Sequence, residues 1–232
     1  MTSNKILSRT AGLLYLIVIL GIMFAEFYVR GNLVVWGDAM TTAQNILNSE
    51  SLFRYGFVIE LIAEACNLLL VLALYQLFKS VNKFYAIVMV ACVVVFVSIK
   101  SINMLNEYAV ILLLKGGGSY LSAMTADQIN ALVLFFFNMH STGFDISGIF
   151  FSLWLLPLGY LVYHSGNGGF SRILGVWLMI SCFALLTNFI TRFLYPHFYR
   201  DTIFWITGAI DSSEIVLCFW LMFKKVNIQN VE

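Results

Sequence analysis

Charge is what this sequence has least of. Only 11% of its 232 residues are charged, while 61% are hydrophobic and 16% aromatic. A soluble domain is usually about a quarter charged, so this chain has too little polar surface to cover a soluble body. Thirteen Lys+Arg against twelve Asp+Glu leave a net charge of +1. That balance excludes a nucleic-acid footprint and a disordered polyelectrolyte. Proline occurs twice, as Pro157 and Pro196. The four cysteines (Cys66, Cys92, Cys182 and Cys218) sit singly inside apolar stretches. With no CxxC pair, a disulfide framework or zinc cluster is not expected. HExxH, HxxEH, GxSxG, GxGxxG and Walker patterns are missing too, and with them the familiar metalloprotease, serine hydrolase and nucleotide signatures.

What the sequence does have is long apolar runs. A membrane span needs about 20 mostly apolar residues. Six segments qualify, at about 8–30, 52–78, 84–114, 131–163, 172–195 and 203–223. The first follows Lys5 and Arg9 and lacks a clean small-x-small site, so it reads as a retained helix and not a cleaved leader. The fourth exceeds one membrane width; it is either one tilted helix or a helix broken near Ser141-Thr142-Gly143. Pro157 is expected to bend it, and Pro196 to end the fifth span. In the loop at 31–51, Asp38 precedes Ala39–Leu47 as the N-cap of a short surface helix. The Gly116-Gly117-Gly118 run and Ser165–Gly169 read as loops. The expected architecture is all-α: a single polytopic domain over 1–232, a six-helix transmembrane bundle. No internal repeat argues for an inverted-repeat transporter.

Short loops orient the bundle. One side carries Lys5, Arg9, Lys79, Lys83, Arg172, Lys224 and Lys225; the other carries Arg30, Arg54, Lys115, Arg192 and Arg200. The positive-inside bias puts both termini in the cytoplasm. Polar residues then fall unevenly on this topology. Glu26 and Arg30 are four apart, as are Glu60 and Glu64, with Asn67 continuing that face. Lys100, Asn103 and Glu107 share a stripe. His140 and Asp145 precede the middle of the fourth span. Asn188 and Arg192 are four apart in the fifth, and Asp211 and Glu214 three apart in the sixth. Such spacings place each set on one helical face. Nearly all lie at or above mid-membrane on the non-cytoplasmic side, while runs such as Leu68–Leu72 and Ile87–Val90 fill the other half.

Charges facing lipid cost several kcal/mol each, so these should face inward, pair, or line water. The expectation is a polar cavity opening towards the non-cytoplasmic side. Seven acids (Glu26, Glu60, Glu64, Glu107, Asp145, Asp211, Glu214) oppose three fixed bases (Arg30, Lys100, Arg192), with His140 able to become a fourth. Ion pairs cannot neutralise that set. Either some carboxylates carry protons, or the cavity holds a cation or a basic ligand.

The same residues carry a family likeness. Arg9-Thr-Ala-Gly-Leu-Leu-Tyr-Leu continues to Ala25-Glu26 and Arg30-Gly31. Gly37-Asp38-Ala39 and Asn45-Ile46-Leu47 lead to Ser51-Leu-Phe-Arg54. Gly159-Tyr160-Leu161-Val162-Tyr163 precedes Arg172-Ile173-Leu174-Gly175, and Glu214 stands before Leu217, Trp220 and Leu221, then Lys225-Val226-Asn227. Together these resemble the bacterial membrane-protein family known as domain of unknown function 4386 (DUF4386), over nearly the whole chain. The resemblance implies a bacterial multi-pass protein of the cytoplasmic membrane, and it implies architecture without a mechanism. The chain departs from the family by carrying Asn188 where an acidic residue is usual, which argues against an essential carboxylate there.

Three functional readings fit these residues. The leading one is a one-sided, carboxylate-rich pocket for a lipid, small amphiphile or cation. The alternatives are a small ion- or proton-coupled transporter, and an intramembrane metal-assisted hydrolase. For the last, Glu60, Glu64, His140, Asp145 and Glu214 are the candidate ligands, and their oxygen-rich set suits a hard cation or a di-metal centre. His164 falls on the cytoplasmic side, away from any such site. Membrane lipids are the expected partners, with an amphiphilic ligand and a homodimer as further candidates and nucleic acid excluded. Beyond that cation, no cofactor is implied.

Overall fold

The structure is a computed structural model, and it describes residues 2–116, 118–165, 169–195 and 212–224. The described residues are helical, turn or loop, with no strand among them. In chain order α1 is Thr2–Met23, a π-helix covers Phe24–Arg30, and α2 is Gly31–Leu33. Next come α3 (Ala39–Asn48), α4 (Glu50–Phe78), α5 (Lys83–Leu114), a 3₁₀ turn (Ser119–Ala123), α6 (Ala126–His164), α7 (Arg172–Leu194) and α8 (Ser213–Phe223). Five helical segments are long and apolar enough to cross a membrane: Asn4–Leu33, Glu50–Phe78, Lys83–Leu114, Ala126–His164 and Arg172–Leu194. The protein is therefore a multi-pass membrane protein. Of the expected sixth span, Ser213–Phe223 is helical, and 203–211 lie outside the described residues together with Pro196.

The physical reason for helix is the solvent. Hydrocarbon offers no partner to a backbone N–H or C=O, and a helix satisfies both internally. The fourth span is one unbroken helix of 39 residues with Pro157 inside it. At 1.5 Å per residue it runs about 58 Å, well beyond the roughly 30 Å hydrocarbon layer. Its first turn, Ala126-Asp127-Gln128, is polar enough to stand in water. The expected cap at Asp38 is present: its carboxylate accepts from the Thr41 N–H at 2.9 Å and from the Thr41 hydroxyl at 2.6 Å. Behind it, Thr42, Ala43 and Ile46 form the buried face of α3.

The chain divides into two compact units. Unit 1 comprises Met1–Val18, Ala65–Val97 and Ser147–Glu232; unit 2 comprises Ile19–Glu64 and Ser98–Ile146. Each of α1, α4, α5 and α6 contributes residues to both units. Within unit 1, α6 and α7 meet backbone to backbone. A Cβ on Gly159 would lie 2.6 Å from the carbonyl oxygen of Gly175, so glycine is needed at this crossing. Ser8 Oγ donates to the Leu221 carbonyl at 2.8 Å, and Ser181 and Ser213 share a 2.8 Å bond, tying α8 to α1 and α7. Unit 2 has an apolar cluster of Val29, Leu33, Ile46, Phe53, Val110 and Phe137, with Phe53 and Phe137 packed edge to face.

Candidate functional site: a buried ion network

Three spans meet in unit 2 through charged side chains, and a fourth joins them through His140 and Phe144. The π-helix carries Glu26 and Arg30, and its wide turn is marked by the Gly31 N–H donating back five residues to the Glu26 carbonyl. Insertions of this kind re-aim side chains inside an otherwise regular helix and often lie at functional sites. Arg30 uses three nitrogens. Its Nε donates to Glu26 Oε2 at 3.0 Å, and its Nη2 lies 2.7 Å from Glu26 Oε1 and 2.7 Å from Glu60 Oε2. Its Nη1 donates to Glu107 Oε2 at 2.9 Å. One guanidinium therefore holds carboxylates from three helices.

Lys100 extends the chain of pairs. Its Nζ sits 3.2 Å from Glu60 Oε1 and 2.8 Å from Glu64 Oε1. It also faces the Phe144 ring, 5.1 Å from the centroid, a cation–π contact. Glu60, Lys100 and Glu107 are 0% exposed and Glu64 is 1%. An unpaired charge at such a place would cost several kcal/mol, so each needs the partner it has.

His140 approaches from α6. The Asn103 amide nitrogen donates to the His140 carbonyl oxygen at 2.7 Å and lies 3.5 Å from Nδ1, while Asn106 donates to Asn103 Oδ1 at 2.9 Å. Asn103 can reach α6 because residue 143 is glycine: a Cβ there would fall 2.1 Å from Asn103 Oδ1. Glu107 Oε1 and His140 Nε2 are buried with neither a hydrogen-bond nor an ion-pair partner among the described residues.

The charge count follows. Four carboxylates (Glu26, Glu60, Glu64 and Glu107) are in contact with two fixed cations (Arg30 and Lys100). With all four carboxylates ionised and His140 neutral, these contacts leave two negative charges in excess. One ligand atom each from Glu26, Glu60 and His140 fall within 4.8 Å of one another, a metal-compatible cluster. Glu26 belongs to it, although the sequence pointed elsewhere; Glu64, Asp145 and Glu214 do not, among the described residues. Arg30 Nη2 already bridges the two carboxylates of this cluster, so an inorganic ion there would compete with the guanidinium.

The remaining expected site residues are placed as follows. Asp145 is half-buried on α6 in unit 2. Asn67 is buried on α4, Asn188 half-buried and Arg192 exposed on α7, and all three belong to unit 1. Glu214 is buried in unit 1, where it accepts the Tyr15 hydroxyl at 2.5 Å. Asp211 lies outside the described residues. Tyr15 was not anticipated; the usable signal was that a buried glutamate needs a donor, which its own helix did not offer. The Glu50–Arg54–Lys115 trio was also missed as a unit: Glu50 accepts from Arg54 Nε at 2.8 Å, and Lys115 Nζ is 2.5 Å from its other oxygen.

Against known proteins, the family described as Domain of unknown function (DUF4386) matches residues 10–224. No curated protein and no solved structure matches the chain.

Proposed function

The chain belongs to the DUF4386 family, and on that premise we propose that it is a cation-binding protein of the bacterial cytoplasmic membrane. In this reading it has six spans, both termini are cytoplasmic, and the site lies in the non-cytoplasmic half. The ligand is a small cation, inorganic or proton, held by the carboxylates around Arg30 and Lys100. One observation carries the proposal: among the described residues four buried or half-buried carboxylates meet two fixed cations, and Glu107 Oε1 is buried without a partner. Low-dielectric surroundings penalise uncompensated charge heavily, so two further positive charges are called for. The Glu26–Glu60 face is the less favoured place for the ion, and with it a hydrolytic metal reading, because Arg30 Nη2 already bridges those two carboxylates.

The test is thermal melting of the full chain in gentle detergent, with sodium, calcium and magnesium titrated at fixed pH, and with pH varied from about 5 to 8. A ligand that binds only the folded state raises the midpoint with concentration. The wild type should respond to one of these cations or to acidification. Glu107→Gln removes one excess charge and should respond less. Identical midpoints across every condition in both proteins would refute the proposal.

A further inference from the structure

A groove of about 210 Å³ lies in unit 2, lined by Phe53, Arg54, Phe57 and Val58 of α4 with Tyr108 and Ile111 of α5. Its floor is rigid. Phe53 is 1% exposed and braced by Phe137, and Phe57 and Tyr108 stand with ring centroids 6.0 Å apart. Val58 and Tyr108 are 50% and 45% exposed, so the groove opens to the lipid side of the helices. At its end lies the one-carboxylate, two-cation trio of Glu50, Arg54 and Lys115, with Arg54 and Lys115 about half exposed. This trio occupies the first turns of one span and the residue after the end of another, which is headgroup depth.

We propose that this groove is a binding site for an anionic phospholipid. One acyl chain lies along Phe57, Val58, Tyr108 and Ile111, and the phosphate meets Arg54 and Lys115. Charge selects this occupant. The trio is net positive by one, and its cations are exposed at the level where phosphates sit, so an anionic headgroup is attracted where a zwitterionic one is not. The apolar wall directly beside those cations suits a molecule that is apolar and anionic within one length. Glu50 competes with the phosphate for both cations and sets the strength of binding. The site is independent of the cation reading: none of its residues belongs to the Arg30–Lys100 network.

The test is native mass spectrometry of the full chain in gentle detergent, with phosphatidylglycerol and phosphatidylcholine of the same acyl chains added together. The wild type should retain phosphatidylglycerol preferentially, by about fivefold for each contributing cation. The double variant Arg54→Gln/Lys115→Gln should lose the preference and keep its weak phosphatidylcholine binding. Val58→Trp, at an exposed position inside the groove, should lower phosphatidylglycerol retention. Glu50→Gln removes the competing carboxylate and should raise it, a gain that mere loss of structure would not produce. Equal retention of the two lipids by the wild type, or an unchanged preference in the double variant, overturns the proposal. So does a Glu50→Gln protein that binds no more phosphatidylglycerol than the wild type.

Discussion

Arg30 offers five N–H donors in a planar fork, and its three nitrogens make four contacts to carboxylates of three helices. Lysine in its place supplies one ammonium point and cannot span Glu26, Glu60 and Glu107 with the same geometry. Arg30→Met should cost about 3–5 kcal/mol, because it leaves buried carboxylates without their partner. Arg30→Lys should recover only part of that. Glu107→Gln should be near neutral or stabilising, since the amide oxygen still accepts from Nη1 while an excess charge disappears. Chemical denaturation in detergent would check all three, and a Glu107→Gln loss as large as that of Arg30→Met would contradict the charge count. The i, i+4 pairing of Glu26 with Arg30 was legible in the sequence, because helical spacing alone brings such residues together. The Arg30 bonds to Glu60 and Glu107 were not, since spacing tells which face a residue occupies and not what that face meets.

Among the elements, the π-helix at Phe24–Arg30 is the one no periodicity announced. Its residues are ordinary helix formers, and the wider turn carries Arg30 to Glu60 and Glu107 on other helices. The opposite case is α3, whose start is written locally. Asp38 holds its carboxyl below the usual carboxylate range through the hydrogen bond from the Thr41 hydroxyl, followed by the one from the Thr41 backbone N–H. The sign follows from that depression. The cap stabilises α3 above the ordinary carboxylate pKa and is lost as pH falls through the lower folded value. Hydrogen-exchange protection across 39–42, taken relative to the intrinsic rate at each pH, should therefore fall on acidification in the wild type. Asp38→Asn keeps a capping oxygen that does not titrate, so its exchange should lack this component; an equal acid response in both proteins would sink the assignment. The fourth span shows a third situation. Its unbroken course through Gly143 and Pro157 could not be chosen from the sequence, which left one long helix and a break near Ser141-Thr142-Gly143 both open. There Asn103 fills the space that Gly143 leaves and donates to the His140 carbonyl.

For the molecule as a whole, the charged residues that the sequence places towards one side of the membrane coincide largely with unit 2. The proposed topology puts α3 outside and the turn after α4 inside. A membrane-impermeant maleimide should then label Met40→Cys in intact cells and Ser80→Cys only after permeabilisation, and the reverse pattern would invert the topology. The family match over residues 10–224 agrees with the likeness read from Arg9–Gly31, Ser51–Arg54 and Gly159–Gly175.

Membrane residence, helical class and the faces that carry charge could be read from the chain, because hydrophobic run length and a 3.6-residue period are local properties that lipid enforces. Which acids share Arg30, which pair with Lys100, and which atoms are left without a partner could not. Those outcomes depend on how the faces of separate helices meet, and that is set by packing details such as the glycine at 143 and the wide turn before Arg30. The scarcity of charge marked a membrane protein; the contacts among the few buried charges located the cation site proposed for it.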